Sequence, residues 1–346
     1  MSNESKLTVA PGTSVIVGRW QLFHKGHETL LKAALATAES VIVVIGSAFR
    51  SRDVRNPFTW AERQAMVQAV LSPDELSRVR FFPVRDYFDD VRWNAAVSAG
   101  VNQLSDGHGP VTLVGFKKDH TSYYLDHFPT WASKTVQQAF DIDATALRNV
   151  FFEGTDPDAR LVVLSPYINQ RVKDYLQAWA RLPEYAQRVV EHTTVVQYRN
   201  KWAADVYLTA DAVLVANQHV LLIRRGGDVG YGQWAVPGGF VDKGERFYTA
   251  ALRELHEETG FKTLDVTMRQ ALQASQVFDH PLRSTRGRLI TQAFFFDLGE
   301  VRLPEIKGSD DALEAKWIPL AELPAMEAQM FEDHAAILDR FVGVYG

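Results

Sequence analysis

The first part of the chain alternates between short apolar runs and stretches with helical spacing. Ser14–Val17 and Val41–Ile45 are runs typical of strands that are buried on both faces. Between them, apolar residues from Leu30 to Ala38 recur at intervals that predict an amphipathic helix. A strand, a crossover helix and a second strand make the parallel βαβ unit. The N-terminal half is therefore predicted to be an α/β domain.

The same alternation continues to about Ala180. Thr59 and Glu62 have the spacing of a capping box, in which each side chain bonds the other residue's backbone at a helix N-terminus. Ser165-Pro166 places a proline at a first helical position. The predicted elements are a helix from Thr59 to Leu71, a strand at Val79–Val84, a helix from Asp89 to Leu104, a strand at Val111–Val114 and a helix from Pro166 to about Ala180.

The pattern changes after Arg181. From there to Ala204, charged and amide residues show no clear period, which indicates a boundary. The elements predicted beyond it are strands at Val206–Val215 and Val220–Ile223 around a turn at Asn217-Gln218, one strong helix, strands near Val266–Val277 and at Leu289–Asp297, and a helical end around Met330–Phe341. We predict an α/β domain over residues 1–190, a linker over 191–204 and a mixed α+β layer domain over 205–346.

Composition narrows the class of protein. The chain has 346 residues, a net charge of −5 and no cysteine, which excludes a disulfide scaffold, a thiolate zinc site and a cysteine nucleophile. Without a global basic field, we expect neither nucleic acid nor a membrane as a partner. The polar N-terminus lacks the apolar core of a signal peptide, and no apolar run approaches the roughly 20 residues of a membrane span. We expect a cytoplasmic enzyme.

Three carboxylates in the second half share one helical face. Glu254, Glu257 and Glu258 stand at i, i+3 and i+4, so they repel one another at neutral pH. A divalent cation removes that conflict, and hard oxygen ligands suit Mg²⁺ or Mn²⁺. Mg²⁺ commonly bridges to phosphates, which favours a phosphate-ester substrate. The alternative is a solvated acidic helix face, but it does not explain the glycine-rich segment and Arg253 at fixed spacing.

A second polar motif lies where the first predicted strand meets the first predicted helix. His24-Lys25-Gly26-His27 places two histidines around a helix N-terminus, whose N–H groups and dipole favour phosphate. Gly26 allows the backbone to approach a ligand closely. Zinc binding lacks a third ligand nearby, and a pair of structural histidines is the remaining alternative.

The acidic helix resembles the Nudix box, Gx5Ex7REUxEExGU with U apolar. Every position is matched, from Gly239 and Glu245 to Gly260-Phe261. The resemblance implies an α/β/α sandwich that hydrolyses a diphosphate linked to another group. It implies that Glu254, Glu257 and Glu258 are catalytic and hold the metal. The catalytic base in this family often lies outside the box, and Asp310, Asp311 and Glu314 are the candidates, with an acidic surface loop as the alternative.

The segment after the box is similar to the ADP-ribose-cleaving branch of the Nudix family. The similarity is carried by Val277–Pro281 and by Arg286-Gly287-Arg288. It implies that Arg286 and Arg288 meet phosphate or ribose, although arginines in such a loop are usually solvated.

The first motif resembles the signature GRFQPFHxGH of the nucleotidyltransferases that adenylylate nicotinamide mononucleotide. Gly18 to His27 carries it, and Arg55-Asn56-Pro57-Phe58 resembles a second family segment. The resemblance implies a Rossmann-like domain. It implies that His24 and His27 are catalytic and that the nucleotide is bound by Gly18, Arg19, Gly26, Lys118, Thr145 and Arg148.

One position departs from this family. Asp143 replaces the serine of its second phosphate signature, ISxTxxR. A carboxylate beside phosphate is unfavourable unless it turns away or caps the helix.

Together the two halves resemble the family in which a nicotinamide-mononucleotide adenylyltransferase is fused to a Nudix ADP-ribose pyrophosphatase. The implied partners are small nucleotides: ATP, nicotinamide mononucleotide and ADP-ribose, with Mg²⁺ or Mn²⁺. Two alternatives stay open: a Nudix half that senses a nucleotide and regulates, and a transferase half that uses another acceptor, such as nicotinate mononucleotide. The oligomeric state is open, and a homodimer is one option.

Overall fold

The structure is a computed structural model that describes residues 10–105, 109–115, 128–137, 142–201, 206–309 and 311–345. The described residues divide into two compact units. One holds the residues up to Phe49 and from Arg55 to Val189, and the other holds Arg50–Val54 and the residues from Val190 onward.

The first unit alternates strands and helices as the apolar pattern predicts. Its elements are β1 (Ala10–Gly18), α1 (Lys25–Leu35), β2 (Ala38–Ile45), α2 (Trp60–Ala69), α3 (Pro73–Ser77), β3 (Val79–Pro83), α4 (Asp90–Leu104), β4 (Val111–Gly115), β5 (Ala132–Thr135), α5 (Ala144–Phe152), α6 (Pro157–Leu164) and α7 (Gln170–Trp179). The capping box at Thr59 and Glu62 is present at the start of α2.

In the described residues, the sheet of this unit has five strands in the order β3-β2-β1-β4-β5, and all of its pairings are parallel. β1 and β2 are apolar on both faces because side chains pack on each side. Ile16 and Val43 lie in one core cluster, and Val15 and Val44 in another. The order changes direction at β1, whose two neighbours are β2 and β4. In parallel α/β sheets, ligands bind at such a switch point, beyond the carboxyl ends of the strands.

Helix α8 (Pro183–Lys201) continues the chain to the second unit. Its elements are β6 (Tyr207–Ala216), β7 (His219–Arg225), β8 (Trp234–Ala235), β9 (Gly238–Phe240), α9 (Phe247–Thr259), α10 (Asp265–Ala271), β10 (Leu272–Phe278), β11 (Leu289–Asp297), β12 (Ala312–Pro319), α11 (Leu323–Met326) and α12 (His334–Val342). The turn between β6 and β7 has Asn217 and Gln218 at φ of 44° and 60°, as a two-residue hairpin requires.

The second sheet is mixed, with the order β10-β11-β6-β7-β12, and β8 and β9 pair with β7 and β6. β6 runs parallel to β11 and antiparallel to β7. One core cluster joins the sheet to α9 through Leu255, and another joins it to α12 through Ile337 and Leu338. This layering confirms the predicted fold class: a parallel α/β domain followed by an α/β/α sandwich.

The segment after Arg181, for which no element was predicted, is helix α8, whose 19 residues include both buried and exposed positions. Two local predictions are wrong. The helix expected at Pro166 begins at Gln170, because Asn169 caps it by accepting from Arg171 N at 3.0 Å. The first part of the strand expected near Val266–Val277 is helix α10, which begins at Asp265.

In the described part of the chain, no helix has the length and hydropathy of a membrane span.

Candidate functional sites

The first site is built on the loop between β1 and α1. His24 is buried and is the N-cap of α1. Its Nδ1 accepts from the backbone N–H of Gly26 at 3.1 Å and of His27 at 3.4 Å. Because Nδ1 accepts, a neutral ring carries its proton on Nε2, which is the donor nitrogen. The rings of His24 and His27 stack with centroids 3.7 Å apart. Both imidazoles thus lie at the positive end of a helix, where phosphate is favoured.

The loop that carries these histidines is anchored to its surroundings. The Gln21 amide donates to Phe58 O at 3.0 Å and accepts from Phe58 N at 3.2 Å. Trp20 is buried in a left-handed conformation, with φ of 54°, and its indole donates to Val44 O at 2.8 Å. These contacts hold the backbone that leads into His24.

A buried arginine ties the loop to the neighbouring strand ends. Arg63 is 1% exposed and donates to the carbonyl oxygens of Arg19 at 2.6 Å, Gly46 at 2.7 Å, Ser47 at 3.1 Å and Thr59 at 3.2 Å. Burial away from water lowers the pKa of Arg63 to about 9. One side chain therefore connects the residues after β1, the residues after β2 and the start of α2.

The second phosphate signature lies at the start of α5. Asp143 is its N-cap, and Oδ1 accepts from Thr145 N at 2.8 Å. Arg148 is 4% exposed and donates to Gln21 O at 2.9 Å and to Thr145 Oγ1 at 3.1 Å. The structure therefore brings Thr145 and Arg148 to the His24 loop, and it explains Asp143 as a capping residue.

The remaining predicted residues of this site differ in their surroundings. Gly18 ends β1, and a side chain there would meet the Trp20 ring, 3.1 Å from an added Cβ. Arg19 is exposed at the carboxyl end of β1. Lys118 lies outside the described residues.

The second site is built around Arg253 on α9. Arg253 donates to both carboxylate oxygens of Glu245 at 3.0 Å, to Glu254 at 2.8 Å, to Glu257 at 2.9 Å and to Phe240 O at 2.9 Å. Side-chain hydrogen bonds from Arg253 lower the pKa of Glu245. Arg253 thus joins Glu245 and the Phe240 backbone to helix α9, and two of the three predicted metal ligands share the same guanidinium.

The third carboxylate, Glu258, is buried. It is 4% exposed, and its Oε2 accepts from Gly238 N at 2.9 Å. Burial, together with the nearby Glu254 charge, raises the pKa of Glu258 to about 8. A buried carboxylate with a nearby like charge is costly unless a cation accompanies it.

Two adjacent glycines, the second of which begins the box, allow this close approach. A Cβ on Gly239 would lie 2.3 Å from Glu254 Oε1, and one on Gly238 would lie 2.1 Å from Asp211 Oδ1. The loop backbone therefore lies directly against the carboxylates, and a larger residue at either position would have to displace one of them.

A polar cleft adjoins the glycine pair. Its lining includes Asp211, Arg225, Phe240, Arg286 and Phe331, beside Gly238 and Gly239. The Arg225 guanidinium stacks on the Phe331 ring at 4.0 Å, and Arg286 lies 5.3 Å from the same ring. The cleft therefore combines aromatic surface with cationic groups.

The structure separates the two arginines predicted for the substrate. Arg286 lines the cleft, where its Nη2 donates to Glu332 Oε2 at 3.2 Å. Arg288 does not line the cleft, and its guanidinium donates to Asp279 O.

The segment before the candidate bases contacts the end of α9, where Ser309 N donates to Glu258 O at 3.1 Å. Glu314, the third candidate, is exposed on β12. Asp311 is exposed, and its carbonyl accepts from Gly226 N at 2.8 Å. Asp310 lies outside the described residues.

Sequence reasoning missed Asp211, Arg225 and Glu332, which line the cleft from separate segments. Asp211 interrupts an apolar strand, which is a visible sequence signal. Arg225 and Glu332 belong to no motif, so only folding places them at the cleft.

The carboxylates of the second site fit a divalent metal. They are the hard oxygen donors that Mg²⁺ and Mn²⁺ prefer. Buried Glu258, with its raised pKa, is the group that a cation would stabilise in its charged form. The fit is one of donor chemistry rather than of geometry: in the described residues, no group of three or more acidic or histidine side chains is arranged so that it could hold a metal ion. Glu254 and Glu257 both accept from Arg253 instead.

Comparison with known proteins follows this division. The cytidylyltransferase-like model matches residues 15–150, and the NUDIX domain model matches residues 206–341. A nicotinamide/nicotinic acid mononucleotide adenylyltransferase from Acinetobacter baylyi is 35% identical over 40% of this chain and 75% of its own. An ADP-ribose pyrophosphatase from Methanocaldococcus jannaschii is 30% identical over 46% of this chain and 85% of its own.

A solved structure is similar over both halves. It is a bifunctional NMN adenylyltransferase/ADP ribose pyrophosphatase from Francisella tularensis, complexed with AMP and a manganese ion. It is 30% identical, covers 97% of this chain and 100% of its own, and superposes with a TM-score of 0.86. The chain therefore belongs to the family of bifunctional NMN adenylyltransferase/ADP-ribose pyrophosphatase proteins.

Proposed function

We propose that this protein is a bifunctional enzyme of NAD metabolism. Its first domain transfers AMP from ATP to nicotinamide mononucleotide, giving NAD and pyrophosphate. Its Nudix domain hydrolyses ADP-ribose to AMP and ribose 5-phosphate. The observation that carries the proposal is the similarity to the bifunctional Francisella tularensis structure over 97% of this chain.

In the first domain, the phosphate oxygen of the mononucleotide attacks the α-phosphorus of ATP, and the bond to the bridging oxygen of pyrophosphate breaks. No covalent enzyme intermediate is required, so the protein contributes position and charge. His24 and His27 donate to phosphate oxygens as charge builds, and Thr145 and Arg148 contact the triphosphate. Arg19 and Lys118 are further contacts.

In the Nudix domain, Glu254, Glu257 and Glu258 would hold the metal. A bound Mg²⁺ or Mn²⁺ would supply neutralisation of the diphosphate charge and a lowered pKa of water. Arg253 orients two of these carboxylates through the bonds described above. Asp310 or Asp311 accepts the proton of the attacking water. Arg286 contacts the substrate in the cleft, and Arg288 is a weaker candidate because it bonds Asp279 O.

We further propose that residues 1–190 make the transferase and 205–346 the hydrolase. The residues between them include the end of helix α8 rather than an irregular linker.

A matched pair of variants tests the two-site proposal. Glu257→Gln should abolish ADP-ribose cleavage and leave NAD synthesis within about twofold, whereas His24→Ala should do the reverse. Both activities are measured on the full chain with Mg²⁺ by separating the nucleotide products. Nicotinamide and nicotinate mononucleotide are compared as acceptors. If either variant loses both activities while remaining folded, two independent sites are excluded.

A further inference from the structure

Two polar residues interrupt an apolar stripe on β6. Side chains two residues apart on a strand share a face, so Thr209, Asp211, Val213 and Val215 point the same way. Val213 and Val215 belong to the core cluster that includes Ile337 of α12. Thr209 and Asp211 are equally buried, at 6% and 5% exposure, but they line the polar cleft. The stripe changes from core to cleft between Val213 and Asp211.

Asp211 is a buried carboxylate without a hydrogen-bonded cation among the described residues. Its Oδ2 accepts from the Thr291 hydroxyl on β11 at 2.6 Å. Arg283, a cationic neighbour in the cleft, donates to both oxygens of Asp333 at 2.8 and 2.9 Å. A buried carboxylate is unfavourable unless its oxygens accept hydrogen bonds. The hydrogen bond from Thr291 uses Oδ2, so Oδ1 of Asp211 can still accept a hydrogen bond from a ligand.

The other carboxylate of the cleft is already satisfied. Glu332 accepts from Ser284 Oγ at 2.5 Å, Thr285 N at 3.1 Å and Arg286 Nη2 at 3.2 Å. Asp211 is therefore the better candidate to accept a hydrogen bond from a ligand.

The ligand group that fits Asp211 is a hydroxyl. A phosphate would be repelled by the carboxylate, and it is expected instead beside the metal that Glu254 and Glu258 are proposed to hold. A sugar joined to that phosphate carries hydroxyl donors, and the Thr209 hydroxyl can donate or accept beside them.

We propose that Asp211, with Thr209, binds the hydroxyls of a ribose and selects diphosphates that carry a sugar diol. The inference rests on the proposed hydrolase function and names a subsite for it. Either ribose of ADP-ribose supplies this chemistry, so the test separates them.

The experiment measures equilibrium binding by calorimetry in EDTA, which prevents metal-dependent hydrolysis. The ligands are ADP-ribose, an analogue without hydroxyls on the terminal sugar, and an analogue without hydroxyls on the adenosine ribose. The variants are Asp211→Asn and Thr209→Val. Asp297→Asn, at the exposed end of β11, is the matched control.

Asp211→Asn should weaken ADP-ribose binding by roughly 10- to 100-fold, as expected for a hydrogen bond to a charged group. It should weaken one of the two analogues by less than about threefold, and that analogue identifies the ribose. Thr209→Val should show the same selectivity among the three ligands with a smaller loss of affinity. Asp297→Asn should show no loss of affinity for any of them.

Equal losses for all three ligands would overturn the inference, because a structural role does not distinguish hydroxyls. Absence of ADP-ribose binding by the unaltered protein would also overturn the inference. Selective binding without cleavage of ADP-ribose once Mg²⁺ is restored would contradict the hydrolase function alone.

Discussion

Gly239→Ala tests whether the glycine loop positions a metal ligand. The added Cβ would lie 2.3 Å from Glu254 Oε1, whereas ordinary contacts begin at 3.4 Å. Glu254 must therefore retreat by about 1 Å, because packed groups do not overlap. The atom displaced is the end of a flexible side chain, so the fold can accommodate the change without backbone movement.

The substitution should affect the rate of hydrolysis and the stability of the fold differently. A shift of about 1 Å in a catalytic group can cost roughly 100-fold in rate. Alanine in place of glycine otherwise stabilises a compatible backbone by about 0.4–1 kcal/mol, through the unfolded state. We expect ADP-ribose hydrolysis to fall by roughly 100-fold, while NAD synthesis and the unfolding temperature change little.

The assay compares product formation at both sites with thermal unfolding of the full chain. Gly227→Ala is the matched control, since its added Cβ meets nothing within 4 Å. Hydrolysis by Gly239→Ala within about threefold of the unaltered protein would refute the reasoning. So would a loss of hydrolysis that is accompanied by unfolding.

Two further predictions concern single carboxylates. Asp143→Ser should keep the N-cap of α5, because serine also caps helices. It should lower the KM for ATP by roughly fivefold, since about 1 kcal/mol of repulsion between the carboxylate and phosphate is removed. An unchanged KM would mean that the carboxylate does not face ATP. Glu258 should make the metal-free protein less stable as pH rises. With a pKa of about 8 in the fold against an ordinary 4.5, the folded state holds its proton longer, so this contribution is present at low pH and lost by about pH 8. Unfolding temperatures in EDTA from pH 5 to 9 measure this, and Glu258→Gln should remove that part of the slope.

Elements with strong local signals were predictable from the sequence. The strand Leu289–Asp297 was predicted with the bounds that the structure has, and the turn at Asn217-Gln218 was predicted because it separates two apolar runs of strand type. Helix α10 was not predictable, because the apolar residues of Val266–Val277 are compatible with a helix or a strand, and tertiary packing selects between the two. The start of α7 was misplaced because two capping signals, at Pro166 and Asn169, lie close together and the Asn169 side chain provides the cap.

The sequence by itself determined where the two sets of reactive side chains lie on their helices, because each set is local. The glutamates follow one another on a single helix turn, and the histidines lie at the start of a single helix. Only the tertiary structure decided what surrounds them. Arg148 reaches Gln21 across 127 positions, and Asp211 and Glu332 meet one cleft from distant segments. Such contacts follow from sheet order and loop packing, which leave no periodic trace in the chain. The chemistry was therefore predictable from spacing, whereas the cleft that would select the substrate required the fold.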